Sequence, residues 1–154
     1  MKKLCLLAIC LLVLCVAAPL ARAQGNAKQG PDVMRDPDLE KDSLHNLEVA
    51  RHYFKLKKAY IAALQRCEEI IAGNPVFSKI DEVLFIAGES SLRLAENKGK
   101  QASKVTSDKL REDARDYLSQ LVNGYPDSSF RKQAEDDLKG LGGLKPKESK
   151  QFTP

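Results

Sequence analysis

The chain has 154 residues, with 25 Lys and Arg against 21 Asp and Glu, and 43% of it is hydrophobic. That length and apolar content suit one domain with its own core. Basic and acidic residues are interleaved, so no concentrated basic face argues for nucleic acid. No Gly-rich phosphate loop and no nucleophile elbow points to an enzyme, and no cofactor is implied.

Residues 1–23 read as a secretory signal. Lys2 and Lys3 precede an uncharged apolar run from residue 4 to 16, and Ala21-Arg22-Ala23 has the small-x-small form of a cleavage site. The run is short for a membrane span, and Pro19 follows it. Cleavage after Ala23 removes Lys2, Lys3 and Arg22. That leaves 22 basic residues against 21 acidic ones, a formal charge of about +1 rather than +4. Three of the four cysteines, Cys5, Cys10 and Cys15, leave with the signal. Cys67 then stands alone, without an internal disulfide partner, and is expected in the core. Ile9 precedes Cys10 and Leu14 precedes Cys15, where a lipidated cysteine would follow a small residue. The expected product is an unlipidated protein of the periplasm or the medium.

Residues 24–37 hold Gly25, Gly30, Pro31 and Pro37 and few apolar groups. Such a stretch buries too little surface to offset the entropy of ordering, and we expect a flexible leader. A first helix is predicted over 38–57. Asp38, Asp42 and Ser43 suit its start, and Leu44, Leu47, Ala50 and Phe54 form its inner face. Lys55, Lys57 and Lys58 gather near its end, where cations are favoured.

The second helix is predicted over 58–72, with Tyr60, Ala63, Leu64, Cys67, Ile70 and Ile71 inward. Gly73-Asn74-Pro75 stops it, glycine suiting a left-handed position and proline being unable to continue a helix. Ser78 is placed to cap a third helix over 79–96, with Val83, Leu84, Ala87, Ser91 and Leu94 inward. Gly88 sits inside it at a cost of about 1 kcal/mol against Ala, which close packing would explain. After a polar loop, 99–107, a fourth helix covers 108–123 with Leu110, Ala114, Tyr117, Leu118 and Leu121 inward. Gly124-Tyr125-Pro126 ends it. Asp127-Ser128-Ser129 is expected to cap a last helix, 130–141, with Phe130, Ala134, Leu138 and Leu141 inward. Residues 142–154 turn to Gly, Lys and Pro and are expected to be a disordered tail. Nothing alternates with a period of two, so the expectation is all-α, five helices and no sheet.

Two helix pairs that close on Asn-Pro and Tyr-Pro resemble tetratricopeptide repeats. Leu47, Ala50, Phe54, Ala63, Cys67, Ile70 and Pro75 fit the first copy, with Arg51 where a small residue is usual. Leu84, Ala87, Gly88 and Ser91, then Ala114, Leu118, Leu121 and Pro126, fit a longer second copy whose insertion falls in the turn. The resemblance implies antiparallel helix pairs stacked as a short tetratricopeptide-like solenoid over 38–141, with the last helix as a cap. The stretch GYPDSSFRKQAEDDL, residues 124–138, is similar to repeats of the BamD/YfiO family, periplasmic lipoproteins of outer-membrane assembly. This chain has about half the usual repeats and no lipidation cysteine.

His45, Glu48 and His52 share one face of the first helix, which the resemblance makes concave. Beside them it places Lys55, and from the third helix Glu82, Phe85, Glu89 and Arg93. These eight residues are the expected groove for a protein partner, with Phe85 as an exposed apolar anchor. The implied function is a non-enzymatic adaptor of the cell envelope. A second reading makes His45, Glu48 and His52 three ligands of a divalent metal in a periplasmic metal-binding protein. Lys98, Lys100, Lys104 and the lysines of the tail could touch an anionic surface such as lipid headgroups, but they are read as solubilising charge, and membrane association as indirect only.

Overall fold

The computed structural model describes residues 35–146, and the expected signal and most of the expected leader lie outside that range. Five α-helices make up the described chain: α1 (Pro37–His52), α2 (Tyr60–Gly73), α3 (Ile80–Ala95), α4 (Ser107–Gly124) and α5 (Arg131–Gly140). No strand occurs among the described residues. Helices α1 and α2 form one antiparallel pair and α3 and α4 a second, with α5 packed after them.

Helix α1 begins one residue earlier than expected. Asp36 is its cap, its carboxylate accepting from the amides of Asp38 and Leu39, and Pro37 occupies the first turn, where its missing N–H is no loss. Its end also differs. The α-helix stops at His52 and a single π-helical turn, Tyr53–Lys57, follows. The amide of Ala59 donates to the Tyr53 carbonyl at 3.0 Å. Lys58 closes the turn in the left-handed region at φ 51°, without the help of glycine, at a cost of about 1 kcal/mol.

The stop after α2 is not the left-handed glycine that the sequence suggested. Gly73 stays helical and Asn74 turns the chain at φ −143°. Asn74 is buried, and its side-chain amide donates to Ser43 Oγ on α1 at 3.1 Å. Ser78 does not cap α3 either: Lys79 holds the N-cap position without a side-chain cap, and the Ser78 amide donates to Glu40 of α1 at 3.0 Å. Phe77 fills the corner at 2% exposure.

The main core joins Leu47, Ala63, Cys67, Val83, Leu118 and Leu138, one or two residues from every helix. A smaller cluster of Leu94, Ala95 and Leu110 packs with Tyr60, Ile61 and Leu64. Helix α3 is the central element: every residue from Val83 to Ser91 is buried. Gly88 explains how α4 comes so close, since a Cβ there would lie 2.7 Å from the Leu118 side chain. Helix α1, at the end of the stack, keeps an outer face in solvent. Leu44, expected inside, is therefore 39% exposed, and Ser43 takes the inward place.

The expected disordered tail is corrected for its first residues. Gly142 and Gly143, both at positive φ, reverse the chain after α5, and the Gly143 amide donates to the Leu138 carbonyl at 2.8 Å. Residues 142–146 then run along α4. Arg115 donates to the carbonyls of Gly143 and Gly142 at 2.6 and 3.1 Å, and Asn123 to that of Lys145 at 3.0 Å. The Lys145 amide donates to Ser119 Oγ at 3.0 Å, and its ammonium pairs with Asp116. Glycine-rich sequence predicts disorder only while nothing satisfies its carbonyls, and here α4 does.

Candidate functional site

The first helix of each pair and the cap, α1, α3 and α5, lie side by side and share polar contacts. On α1, His45, Glu48, His52 and Lys55 are exposed, as the groove reading requires. The third helix departs from that reading. Glu82 is half-buried and clamped by Arg51, whose Nε and Nη2 donate to its two oxygens at 2.6 and 2.5 Å. Hydrogen bonding to Glu82 holds the Arg51 guanidinium more firmly protonated than usual. Arg51 thus breaks the small-residue pattern of the repeat by reaching sideways from α1 to α3.

Phe85 is not an exposed anchor. It is 8% exposed and stacks on Phe130 at a ring separation of 4.8 Å. The first turn of α5 covers it, and Ser128 Oγ, donating to Asp81 at 2.7 Å, pins that turn to the start of α3. Glu89 is also withdrawn from the surface. It is 2% exposed, with Oε2 accepting from Arg93 at 2.8 Å and Oε1 without a partner. Asp137 of α5 faces it, and Asp137 Oδ2 is unpartnered as well.

Two carboxylates in contact are both acceptors and repel, so they bond only when one carries a proton. Burial, with the hydrogen bond to Glu89 and its charge, pushes Asp137 up to about 7, while Arg93 opposes the rise. Near neutral pH Asp137 of α5 is therefore readily protonated where it faces Glu89 of α3, beside the Arg93 cation. Nothing in the sequence announced this pair. Glu89 lies on a face read as open, and Asp137 stands in a run of acids, Glu135-Asp136-Asp137, interleaved with lysines and arginines as on a solvated face.

The metal reading finds no support in the geometry. No group of three His, Cys, Asp or Glu side chains among the described residues converges as a metal site, His45, Glu48 and His52 included. Cys67 is fully buried, and burial pushes its thiol up to about 12, which leaves it protonated and unreactive. Tyr117 is likewise held protonated, first by burial and then by Glu68, to which its hydroxyl donates at 3.2 Å.

An open cleft of about 770 Å³ lies between the end of α2, the start of α3 and α4. Ile71, Ile80, Leu84 and Tyr125 supply its apolar wall, and Lys145 of the tail lies at its rim beside Asp116. Sequence reasoning missed it, because one wall is the tail segment that was expected to be disordered.

No protein-family description, no curated protein and no solved structure matches this chain. The class is therefore defined by the fold itself: an all-α protein of helical-repeat type, with five helices each packed on its neighbours.

Proposed function

We propose that this chain is an exported, non-enzymatic adaptor of tetratricopeptide type, which binds a segment of a partner protein across α1 and the edges of α3 and α5. Its place would be the periplasm, after cleavage following Ala23, in envelope or outer-membrane assembly, as the similarity of residues 124–138 to the BamD/YfiO family implies. The observation that carries the reading is the fixed polar face. The Arg51–Glu82 pair, and Arg93 held from beneath by the buried Glu89, keep charges in set positions next to the exposed His45, Glu48, His52 and Lys55. Side chains already ordered lose little entropy when a partner docks. The first-turn position of Phe130 over Phe85 moves the anchor away from apolar contact. Recognition on this face would be polar, with a partner segment that carries both charges.

Crosslinking in intact cells tests this. A photoreactive residue replaces His52, and a control replaces Glu69 on the exposed side of α2. The expected result is one envelope protein captured from position 52, lost when Glu48→Lys is added, and absent from position 69. Equal capture at both positions, or capture insensitive to Glu48→Lys, removes the groove. Recovery of the protein in the cytoplasmic fraction removes the export.

A further inference from the structure

The two helix pairs turn at the same end of the molecule, and the turns touch. Gly99, in the segment between α3 and α4, lies against the π-helical turn of the first pair. A Cβ on it would be 3.0 Å from the Tyr60 ring and 3.5 Å from the Lys58 carbonyl. Leu94, Ala95 and Leu110, packed with Tyr60, Ile61 and Leu64, form an apolar floor beneath both turns. Onto this floor come Lys55, Lys57 and Lys58 from one turn and Lys98, Lys100 and Lys104 from the other. All six are exposed. Lys98 pairs with Glu96, and the other five pair with no carboxylate among the described residues. The acids nearest in sequence are both engaged, Glu96 with Lys98 and Asp108 with Arg111.

The same end carries apolar tips. Leu56 is 72% exposed, the most of any large hydrophobic residue described, and Val105 is 47% exposed on the other turn. Leu56 stands out because the π-helical turn and the left-handed Lys58 hold it away from the floor. A strained lysine and a solvated leucine are costs that the core does not require.

We propose that the paired turns, residues 55–58 and 98–105, are a docking end for an anionic phospholipid surface, with the lysines on headgroup phosphates and Leu56 entering the headgroup layer. Shape decides between this and an acidic peptide. None of the six lysines lines the 770 Å³ cleft or the smaller one beside Arg115; they stand on exposed turns with apolar tips rather than along a groove that would hold an extended chain. Two adjoining convex turns with apolar tips among cations fit a plane that is charged outside and apolar beneath. The proposal shares only Lys55 with the adaptor face and does not rest on it. It replaces the expectation of indirect membrane association, which weighed Lys98, Lys100 and Lys104 without the lysines of the other turn.

The test is vesicle co-sedimentation with residues 24–154. Both core clusters lie wholly within residues 47–141, so this chain keeps the fold. Vesicles of phosphatidylcholine are compared with vesicles that also contain phosphatidylglycerol, at low and high salt. The expected result is binding that needs phosphatidylglycerol and falls as salt rises. Lys57→Ala with Lys100→Ala weakens it roughly 25-fold, at about fivefold for each lysine near the surface. Leu56→Ser weakens it about tenfold or more without changing the salt dependence. All three side chains are exposed, so the melting curve of each variant should match the parent. Equal binding to both vesicle types, no binding to either, or binding indifferent to these substitutions overturns the proposal. So does equally strong binding of inorganic polyphosphate that is also unaffected by Leu56→Ser when vesicle binding is unaffected too, which would mark a general polyanion surface.

Discussion

Arg51 and Gly88 occupy the same step of the two hairpins, after Leu47 and Leu84, and they do opposite things. Gly88 lets α4 approach until Leu118 fills the space where a side chain would be. Arg51 instead sends a long charged chain across to Glu82 of α3. The difference follows from place in the stack. Helix α3 has neighbours on all sides and is buried from Val83 to Ser91, whereas α1 has a free face. A repeat pattern thus describes the contact within a pair. What a position may carry beyond that depends on how many other helices surround it.

The sharpest way to break this contrast is Leu118→Ala. Leu118 is fully buried against Gly88, and its loss opens a cavity in the second hairpin. We expect a loss of about 4 kcal/mol in urea unfolding. Leu44→Ala on the free face of α1 should change stability by no more than about 0.5 kcal/mol. Similar losses at both sites would mean the hairpins are equally buried.

Gly88→Ala comes next. The added methyl gains about 1 kcal/mol of helix propensity. Its collision with the immobile Leu118 outweighs this, and the net loss should be about 2 kcal/mol. Combined with Leu118→Ala the cost should fall well below the sum of the two, because the collision partner is gone. Strict additivity would show that the crowding at Gly88 lies elsewhere. Arg51→Ala should cost about 1 kcal/mol, the scale of a partly exposed ion pair, and Glu82→Gln should cost little more once Arg51 is absent.

The smallest effect is the pH response of the α3–α5 contact. Asp137 has a folded value of about 7 against an ordinary 3.8, so the fold binds a proton that the unfolded chain has released between those limits. Its contribution is complete below pH 3.8 and is lost as pH rises through about 7. Solvent screening of this half-buried group limits the change to about 1 kcal/mol. Asp137→Asn keeps a donor for Glu89 at every pH and should flatten the stability profile between pH 5 and 8 while raising it at the alkaline end. A profile unchanged by Asp137→Asn would show that the proton is not held there.

Helix identity and the two pairs were readable from the chain because burial of one stripe per helix leaves a period of three and four, as in Val83, Leu84, Ala87, Ser91 and Leu94. Errors arose wherever a contact from elsewhere decided the matter. Phe85 was read as exposed because the repeat resemblance placed it on the concave face, and only the arrival of Phe130 covers it. Phe77 lies between two predicted helices and had no place in either stripe, yet it is buried in the main core. The candidate groove was half legible: His45, Glu48, His52 and Lys55 are exposed, while Glu82, Phe85 and Glu89 are taken up by Arg51, Phe130 and Arg93.

Local order in the chain was sufficient for an all-α fold, five helices and the place of each turn, since helical periodicity, capping groups and Pro or Gly stops act over a few residues. Tertiary packing alone decided that α3 is enclosed on every side from Val83 to Ser91, that Asp137 comes to face Glu89, and that residues 142–146 have partners on α4. It also brought the six lysines of two separate turns to one end around Leu56. Burial, pKa shifts and summed charge depend on what stands within a few ångströms in space, and that distance is not written in the spacing of residues along the chain.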